Sequence, residues 1–188
     1  MNSVIALKPG ETALVGYGSL LSRASMERTL KRSYDGPFVP CTVPGWRRTW
    51  DAAVPNRAYY TETPAGNMYP ENILYLNVRR DPQTILNAIL FVVTEPELAA
   101  FDEREVVYYR ENVTDALGGL VAAGSAYMYV GLPRHCLGNV ASPEQGAVRA
   151  TYIQIVETGL SELGADFRAG YERSSDPIPR SLVIQDRT

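Results

Sequence analysis

The chain has 188 residues, of which 45% are hydrophobic and 21% are charged, and its formal net charge is −3 at pH 7. This composition is typical of a globular protein, and it predicts a single domain over 1–188 with a tail from about 174 to 188. No Lys/Arg run exceeds two residues. That pattern argues against nucleic acid as a partner, because phosphate neutralisation requires a concentrated basic face.

The sequence shows no membrane or export signal. No apolar run approaches the roughly 20 residues of a transmembrane helix. Residues 1–12 lack the charged and then apolar pattern of a signal peptide. We therefore expect a cytoplasmic protein that has no membrane partner.

The sequence contains few residues of the types that bind metal ions. The chain has one His and two Cys, and their spacing fits no ligand cluster, so we predict no metal site. His135 and Cys136 are neighbours in a predicted loop. Whether this pair acts as a nucleophile or has no catalytic part is left open.

The first pattern in chain order is a strand, a glycine turn and a helix. Ala13–Val15 predicts a short apolar strand, Gly16–Ser19 a tight turn, and Ser22 the N-cap of a helix that ends near Leu30. Such a turn presents backbone N–H groups to a carboxylate or a developing oxyanion. It lacks the spacing and the lysine of a phosphate loop, and a simple tight turn remains the alternative.

The next stretch predicts a strand and then a long loop. Phe38–Trp50 is interpreted as a strand that contains a Pro-Gly turn. Arg47 and Arg48 alternate about it, and we expect both to be solvated, with one facing inward as the alternative. Residues 51–71 are rich in Pro, Asn, Gly and Tyr and predict an irregular segment. A lid or specificity loop and a surface insertion are both open interpretations.

Two further strands are predicted before the second helix. Asn72–Arg79 and Asn87–Thr94 are apolar and rich in β-branched residues, and Asp81–Pro82 between them predicts a turn.

The second helix places a carboxylate on an apolar stripe. Thr94 and Glu97 form a capping-box pattern at its start. Leu98, Phe101 and Glu105 then share one face. A carboxylate at that position is partly desolvated, so its pKa should rise and make Glu105 a candidate proton acceptor. The alternative is a boundary glutamate that is paired with Arg104 or Arg110.

The remaining elements complete a sheet and a helical end. Val106–Val113 and Ser125–Val130 predict strands, with a turn at Gly118–Gly119 between them. Five or six strands with few helices between them predict an α+β fold with a mixed, largely antiparallel β-barrel flanked by helices.

The second half is predicted to hold the one long helix. Ser142–Gln145 is interpreted as its start and Gly164 as its end. Tyr152 lies on its apolar stripe, either as a core residue or with its hydroxyl in a pocket. Asp166 is interpreted as the cap of a last short helix that runs through Tyr171.

Two of these segments together resemble a known family. Val15–Leu21 contains Tyr-Gly-Ser and resembles a signature of the γ-glutamylcyclotransferase family. Phe101–Glu105 resembles that family's Leu-Asp-x-x-Glu element, whose last residue is the catalytic acid/base. Shorter similarities support both, and the resemblance covers about residues 12–170 in the family's order. The supporting segments are Pro44–Arg48, Ile89–Val93 and Tyr152–Ile155.

The resemblance implies an enzyme that needs no metal or organic cofactor. A γ-glutamyl compound would cyclise, so that its own α-amine attacks its γ-carbonyl and releases 5-oxoproline with a free amine or amino acid. The implied general acid/base is Glu105. The residues implied to bind the γ-glutamyl group are Tyr17, Gly18, Ser19, Leu20, Tyr109 and Tyr152.

Several points stay open at this stage. Val106 stands where the family often has Gly, and Leu20 where it sometimes has Asn, so substrate choice is less determined than reaction type. Glutathione, γ-glutamyl amino acids and γ-glutamyl amines are all candidate substrates, for a monomer or a homodimer. The alternatives are a non-catalytic binding module, which keeps the pocket or uses the Tyr-rich 51–71 loop for a partner, and a plain structural domain.

Overall fold

The computed structural model describes residues 4–188, so the first three residues of the predicted domain and of the stretch searched for a signal peptide lie outside the described part. Its strands and helices run in chain order as β1 (Ile5–Ala6), β2 (Glu11–Gly16), α1 (Arg23–Leu30), β3 (Phe38–Pro55), β4 (Thr61–Thr63), β5 (Gly66–Met68), β6 (Asn72–Thr94), α2 (Glu95–Arg104), β7 (Tyr108–Asn112), β8 (Val121–Ala122), β9 (Ala126–Gly131), β10 (Val148–Arg149), α3 (Ala150–Leu163), α4 (Ala165–Arg173) and β11 (Val183–Ile184).

Five strands form the main sheet, in the order β3–β6–β2–β9–β7. Strand β2 runs antiparallel to β6 and parallel to β9, and the other neighbouring pairs are antiparallel. The sheet curls into an open half-barrel with the helices around it. The predicted fold class, α+β with a mixed and largely antiparallel barrel, is confirmed in this half-barrel form.

The two longest strands pair along most of their length. β3 and β6 carry register shifts between Pro44 and Trp46 and between Thr49 and Ala52. Gly45 has a φ of +83°, so the predicted Pro-Gly turn is a bulge within one strand. The predicted turn at Asp81–Pro82 is likewise absorbed into a continuous β6, and the prediction of two separate strands there is wrong.

The predicted irregular segment 51–71 is only partly irregular. Its first five residues, Asp51–Pro55, continue β3 against β6. The next part carries the small β4–β5 hairpin, in which Thr61 pairs with Met68. The prediction failed here because the tertiary pairing with β6 outweighs the local Pro- and Asn-rich composition.

The first two helices begin as predicted. The Oγ of Ser22 accepts a hydrogen bond of 3.3 Å from the Ser25 N–H at the start of α1. At the start of α2, Thr94 and Glu97 form the capping box, and the Thr94 N–H donates to Glu97 Oε2 at 2.9 Å.

The start of the long helix was predicted wrongly. Ser142–Gln145 forms a turn, in which the Gln145 N–H donates to Ser142 O at 3.2 Å, and α3 begins only at Ala150. The chain first enters β10, because Val148 pairs with Val183 of the tail. Gly164 ends α3 as predicted.

The last helix differs from the prediction in detail, whereas the tail follows one of its two predicted courses. Helix α4 has Gly164 as its N-cap, and Asp166 lies in its first turn without capping it. From sequence, residues 174–188 predict a tail that either wraps around the domain or frays, and the structure shows that it wraps: β11 pairs with β10, and Leu182 and Ile184 are buried. The described residues share one hydrophobic core.

Across residues 4–188, no helix is both long and apolar enough to span a membrane.

Candidate active site

Helix α3 packs closely against the turn that follows β2. A Cβ on Gly159 would lie 2.5 Å from the backbone carbon of Leu21, so glycine permits this close approach. The turn's own hydrogen bonds run from the Leu21 N–H to Gly18 O at 2.9 Å and from the Ser22 N–H to Ser19 O at 3.2 Å. These bonds leave the N–H groups of Gly18, Ser19 and Leu20 for another acceptor.

A buried arginine holds the start of this turn. Arg48 is fully buried, against the expectation that both Arg47 and Arg48 are solvated. Its Nε donates to the backbone O of Tyr17 at 2.7 Å, and Nη1 donates to Ser174 Oγ at 2.7 Å. Asn87 accepts further bonds from the same guanidinium, which stacks on the Tyr171 ring at 4.4 Å from its centroid. These partners explain why the cation can leave water.

A second arginine ties the turn to α2. Arg104 Nη2 donates to Ser19 Oγ at 2.8 Å, and Nη1 donates to Thr29 Oγ1 of α1 at 2.7 Å. Its Nε lies 3.1 Å from Glu105 Oε1. The Ser19 hydroxyl and the Glu105 carboxylate therefore both contact the Arg104 guanidinium, although they are far apart in the sequence.

Glu105 lies at the C-cap of α2, and its side chain is only 16% exposed. Burial raises the pKa of this carboxyl above its ordinary value, while the charge of Arg104 opposes the rise. Both sequence interpretations of Glu105 are thus combined, since the group is desolvated and also paired with Arg104. Arg110, the other partner considered, lies 3.3 Å from Asp102 instead.

Glu105 and the turn open onto one small cavity of about 30 Å³. It continues into a cleft of about 410 Å³, and the two share four residues: Ser19, Glu105, Tyr108 and Tyr152. The small cavity is further lined by Val15, Gly16, Tyr17, Gly18, Leu20, Leu76 and Tyr129. The arrangement places N–H donors and one desolvated carboxylate around a common space.

Aromatic side chains form the walls of this space. A Cβ on Gly18 would lie 3.1 Å from the Tyr152 hydroxyl, so that hydroxyl lies directly over the turn. Tyr152 packs edge-on against Tyr75, with ring centroids 4.9 Å apart. The Tyr108 hydroxyl donates to Leu76 O at 2.8 Å. These rings bound the space onto which Glu105 opens.

The structure brings six of the seven sequence-predicted residues together. Tyr17, Gly18, Ser19, Leu20, Glu105 and Tyr152 all line the small cavity. The Tyr17 hydroxyl, however, donates to Tyr129 O at 2.7 Å, so this side chain is bound to the sheet.

Tyr109 does not reach the site and is 40% exposed. The prediction began the strand at Val106, but the Tyr108 N–H donates to Glu105 O and closes a turn, so β7 begins at Tyr108. Because side chains alternate along a strand, Tyr108 faces the cavity and Tyr109 does not.

Sequence reasoning missed Tyr108 and the two organising arginines. Strand alternation after a correctly placed turn would have found Tyr108. Arg48 and Arg104 act through distant partners, so no local pattern signals them. The His135–Cys136 pair is absent from the lining of the small cavity and of the cleft.

A larger cavity of about 740 Å³ lies elsewhere, between α4 and the start of β3. Its lining includes Cys41 and Phe167 but neither Glu105 nor the turn. Burial raises the pKa of the Cys41 thiol to about 12, so this thiol is not a ready nucleophile. We therefore assign the chemistry to the smaller cleft. Among residues 4–188, no group of three or more His, Cys, Asp or Glu side chains is placed to hold a metal ion.

Comparison with known proteins identifies the fold. The sequence matches no family model and no curated protein. A solved structure of a γ-glutamyl cyclotransferase is similar with a TM-score of 0.55 at 13% identity, over 90% of each chain. An uncharacterized protein from Homo sapiens gives a TM-score of 0.58 at 12% identity, also over 90% of each chain.

A third similar structure is a γ-glutamyl cyclotransferase specific to glutathione from yeast. Its TM-score is 0.50 at 13% identity, over 88% of this chain and 96% of that one. At such identities the likeness establishes a common fold. The chain therefore has the γ-glutamyl cyclotransferase fold, as the sequence resemblance implied.

Proposed function

We propose that this protein cyclises a γ-glutamyl compound and releases 5-oxoproline together with a free amine or amino acid. The proposal depends above all on one observation, that Glu105 and the Tyr17–Leu20 turn line the same small cavity. A γ-glutamyl group carries its own nucleophile, the α-amine, whose nitrogen lies four bonds from the carbonyl carbon, so that its attack closes a five-membered ring. The protein then has to orient the group and carry protons.

Glu105 is the proton carrier in this proposal. Its carboxylate first takes one proton from the substrate's α-ammonium group. The free amine attacks the γ-carbonyl carbon, forming the ring C–N bond. Glu105 gives this first proton to the leaving nitrogen as the old C–N bond breaks, and it then takes a second proton from the ring nitrogen and passes it to the released amine. Together with the first proton, this gives a lactam N–H and a released ammonium group, so that atoms and charge balance.

The turn stabilises charge in the same proposal. The N–H groups of Gly18, Ser19 and Leu20, which the turn's own bonds do not use, are suited to the substrate's α-carboxylate or to the oxyanion formed at the γ-carbonyl. Removal of one such donor typically costs about 3 kcal/mol of transition-state stabilisation. The cation of Arg48, bonded to Tyr17 O, adds a favourable potential for a negative group.

The proposed reaction takes place in the cytoplasm, in a monomer or a homodimer, and its chemistry requires no cofactor. Cys41 and Cys136 are both free thiols, as is usual in a reducing compartment. Glutathione, γ-glutamyl amino acids and γ-glutamyl amines all contain the group that this mechanism needs.

The test compares Glu105→Gln with Glu103→Gln. Glu103 is an exposed acid of the same helix, two residues away, so the matched variant loses an equal charge outside the cavity. We expect Glu105→Gln to lower 5-oxoproline release by about 10²- to 10⁴-fold, and Glu103→Gln to leave it unchanged. Both variants should keep the wild-type circular dichroism spectrum.

Two outcomes would overturn the proposal. Equal turnover by Glu105→Gln and wild type would remove this residue from the mechanism. Saturable binding of γ-glutamyl ligands without 5-oxoproline from any of a broad panel would instead support the binding-module alternative.

A further inference from the structure

The cleft of about 410 Å³ that continues from the small cavity, here called the outer cleft, is lined by more positive than negative side chains. Its lining contains three arginines, Arg28, Arg104 and Arg149, and a single carboxylate, Glu105. The excess matters for the substrate because a cleft of one charge sign attracts a group of the opposite sign. The inference below rests on the proposed cyclisation and concerns the part of the substrate beyond the γ-glutamyl group.

Arg104 is not free to bind a second negatively charged group of the substrate. Its guanidinium is engaged by Ser19, Ser25, Thr29 and Glu105. These partners already satisfy most of its donors, so it serves the architecture of the inner site.

The guanidinium of Arg149 has far fewer hydrogen-bond partners than that of Arg104. Its side chain is only 12% exposed, and its Nε is buried without a hydrogen-bond partner in the described part of the chain. The nearest acid is Asp186, at 3.7 Å from Nε to Oδ2, and Asp186 already accepts hydrogen bonds from Thr151. Because Nε is closed to solvent, a ligand carboxylate in the cleft can reach this side chain only through its terminal Nη groups, for which no hydrogen-bond partner occurs among the described residues.

The surroundings hold the Arg149 guanidinium in place, and Asp186 balances part of its charge. The Tyr59 ring lies under the guanidinium, with 3.9 Å between the ring centroid and Cζ. Tyr59 belongs to the segment before β4, and Asp186 belongs to the tail that follows β11. Backbone hydrogen bonds between Tyr60 and Arg187, of 3.1 and 2.8 Å, join these two segments. Two parts of the chain that lie outside the main sheet thus fix one guanidinium at the cleft.

Arg149 lies within electrostatic reach of the catalytic end. The Tyr75 hydroxyl has its pKa raised first by burial, while the charge of Arg149 lowers it and that of Glu105 raises it. Tyr75 also lines the cleft together with both charged groups. A substrate whose γ-glutamyl group lies at Glu105 can therefore extend past Tyr75 to Arg149.

We propose that Arg149 binds a carboxylate on the leaving group, so that the preferred substrates are γ-glutamyl amino acids or peptides rather than γ-glutamyl amines. Arg28, an exposed residue of α1 on the same cleft, adds to the attraction without direct contact. The segment around Tyr59 then determines specificity by orienting Arg149.

The test uses two compounds that differ by one carboxylate, γ-glutamylalanine and γ-glutamylethylamine. For the wild type we expect kcat/KM to favour γ-glutamylalanine by about 10- to 100-fold, as for a hydrogen-bonded charge pair. Arg149→Met should reduce that ratio to near one. Arg168→Met removes an equal charge from α4, where Arg168 pairs with Glu157, and should keep the wild-type ratio.

A second variant guards against misfolding. Loss of Arg149 leaves Asp186 nearly buried without its cation, so Arg149→Met/Asp186→Asn keeps the local charge balance. We expect this double variant to have the same lowered ratio and a melting temperature close to that of the wild type. A wild-type ratio in a folded double variant would overturn the proposal.

Calorimetry separates this inference from the proposed function. Glu105→Gln should bind γ-glutamylalanine more tightly than γ-glutamylethylamine, and this preference does not depend on turnover. A preference in binding without 5-oxoproline from the wild type would support the Arg149 assignment and contradict the cyclisation. Equal or reversed affinity, with 5-oxoproline formed from both compounds, would contradict the Arg149 assignment and support the cyclisation.

Discussion

The Nε of Arg48 donates a 2.7 Å hydrogen bond to the backbone carbonyl of Tyr17, inside the core and directly behind the candidate oxyanion site. Burial lowers the pKa of this guanidinium to about 10, which still leaves it charged at neutral pH. The same side chain binds Asn87 of β6 and Ser174 after α4. One cation thus fixes three segments that lie far apart in the sequence.

Replacement of Arg48 should damage both stability and activity. Arg48→Met leaves the acceptors on Tyr17, Asn87 and Ser174 buried without their donor, and we expect unfolding in urea to become easier by about 3 kcal/mol. Arg47→Met is the matched control, because Arg47 is partly exposed and its ion pair with Asp176 should contribute at most about 1 kcal/mol. Similar losses for both variants would contradict the organising role of Arg48.

Tyr108 and Tyr109 offer a comparison between adjacent residues. Tyr108→Phe removes the donor to Leu76 O inside the cavity wall, so we expect about 1 kcal/mol of lost stability and a lower kcat/KM. Tyr109→Phe changes an exposed side chain and should have no effect on either quantity. Chemical denaturation and 5-oxoproline assays on both proteins measure the difference. A larger effect of Tyr109→Phe than of Tyr108→Phe would contradict the role of Tyr108 in the cavity wall.

Gly159 is predicted to matter although alanine is the better helix former. Gly159→Ala gains about 1 kcal/mol in helix propensity. The new Cβ, however, would lie 2.5 Å from Leu21 backbone, and such overpacking typically costs about 1 to 3 kcal/mol. We expect a net loss of stability and a displaced turn with lower activity. Thr158→Ala, at an exposed position of the same helix, should leave activity unchanged and raise stability by about 0.5 kcal/mol through helix propensity.

The pH dependence of kcat/KM should report the Glu105 carboxyl. The base must be ionised, and burial raises its pKa, so activity should rise with pH through a limb that lies above the ordinary value of 4.5. The Arg104 charge lowers this pKa. Arg104→Met should therefore move the limb to still higher pH, in addition to any loss of rate. A limb at or below 4.5 in the wild type would contradict Glu105 as the base.

The sequence was sufficient where local signals determine structure. The capping box at Thr94 and Glu97 located α2, and the apolar stripe that follows it placed Glu105 at a desolvated position. The glycine turn after β2 was recognised from Gly16 and Gly18 alone. These signals located the two segments, but only the resemblance to the γ-glutamylcyclotransferase family joined them into one candidate site.

The sequence was insufficient where distant pairing decides. Ser142–Gln145 has the composition of a helix start, but the pairing of β10 with β11 places a strand between it and α3. The sequence predicts a solvated Arg48, because nothing near it in the chain indicates its acceptors, which come from three other segments. Arg149 gave no signal, since both Tyr59 and Asp186 are distant from it in the sequence.

The position of β2 has a consequence for how the molecule folds. Ala13 pairs with Val92 on one side and with Ala126 on the other, so this early strand acquires both neighbours from much later parts of the chain. Contacts of such wide sequence separation require large loops to close, and they slow folding relative to locally connected proteins. The amide cluster that follows β2 should thus be among the last features to become ordered, and refolding monitored by ligand capture should lag behind the formation of the helices.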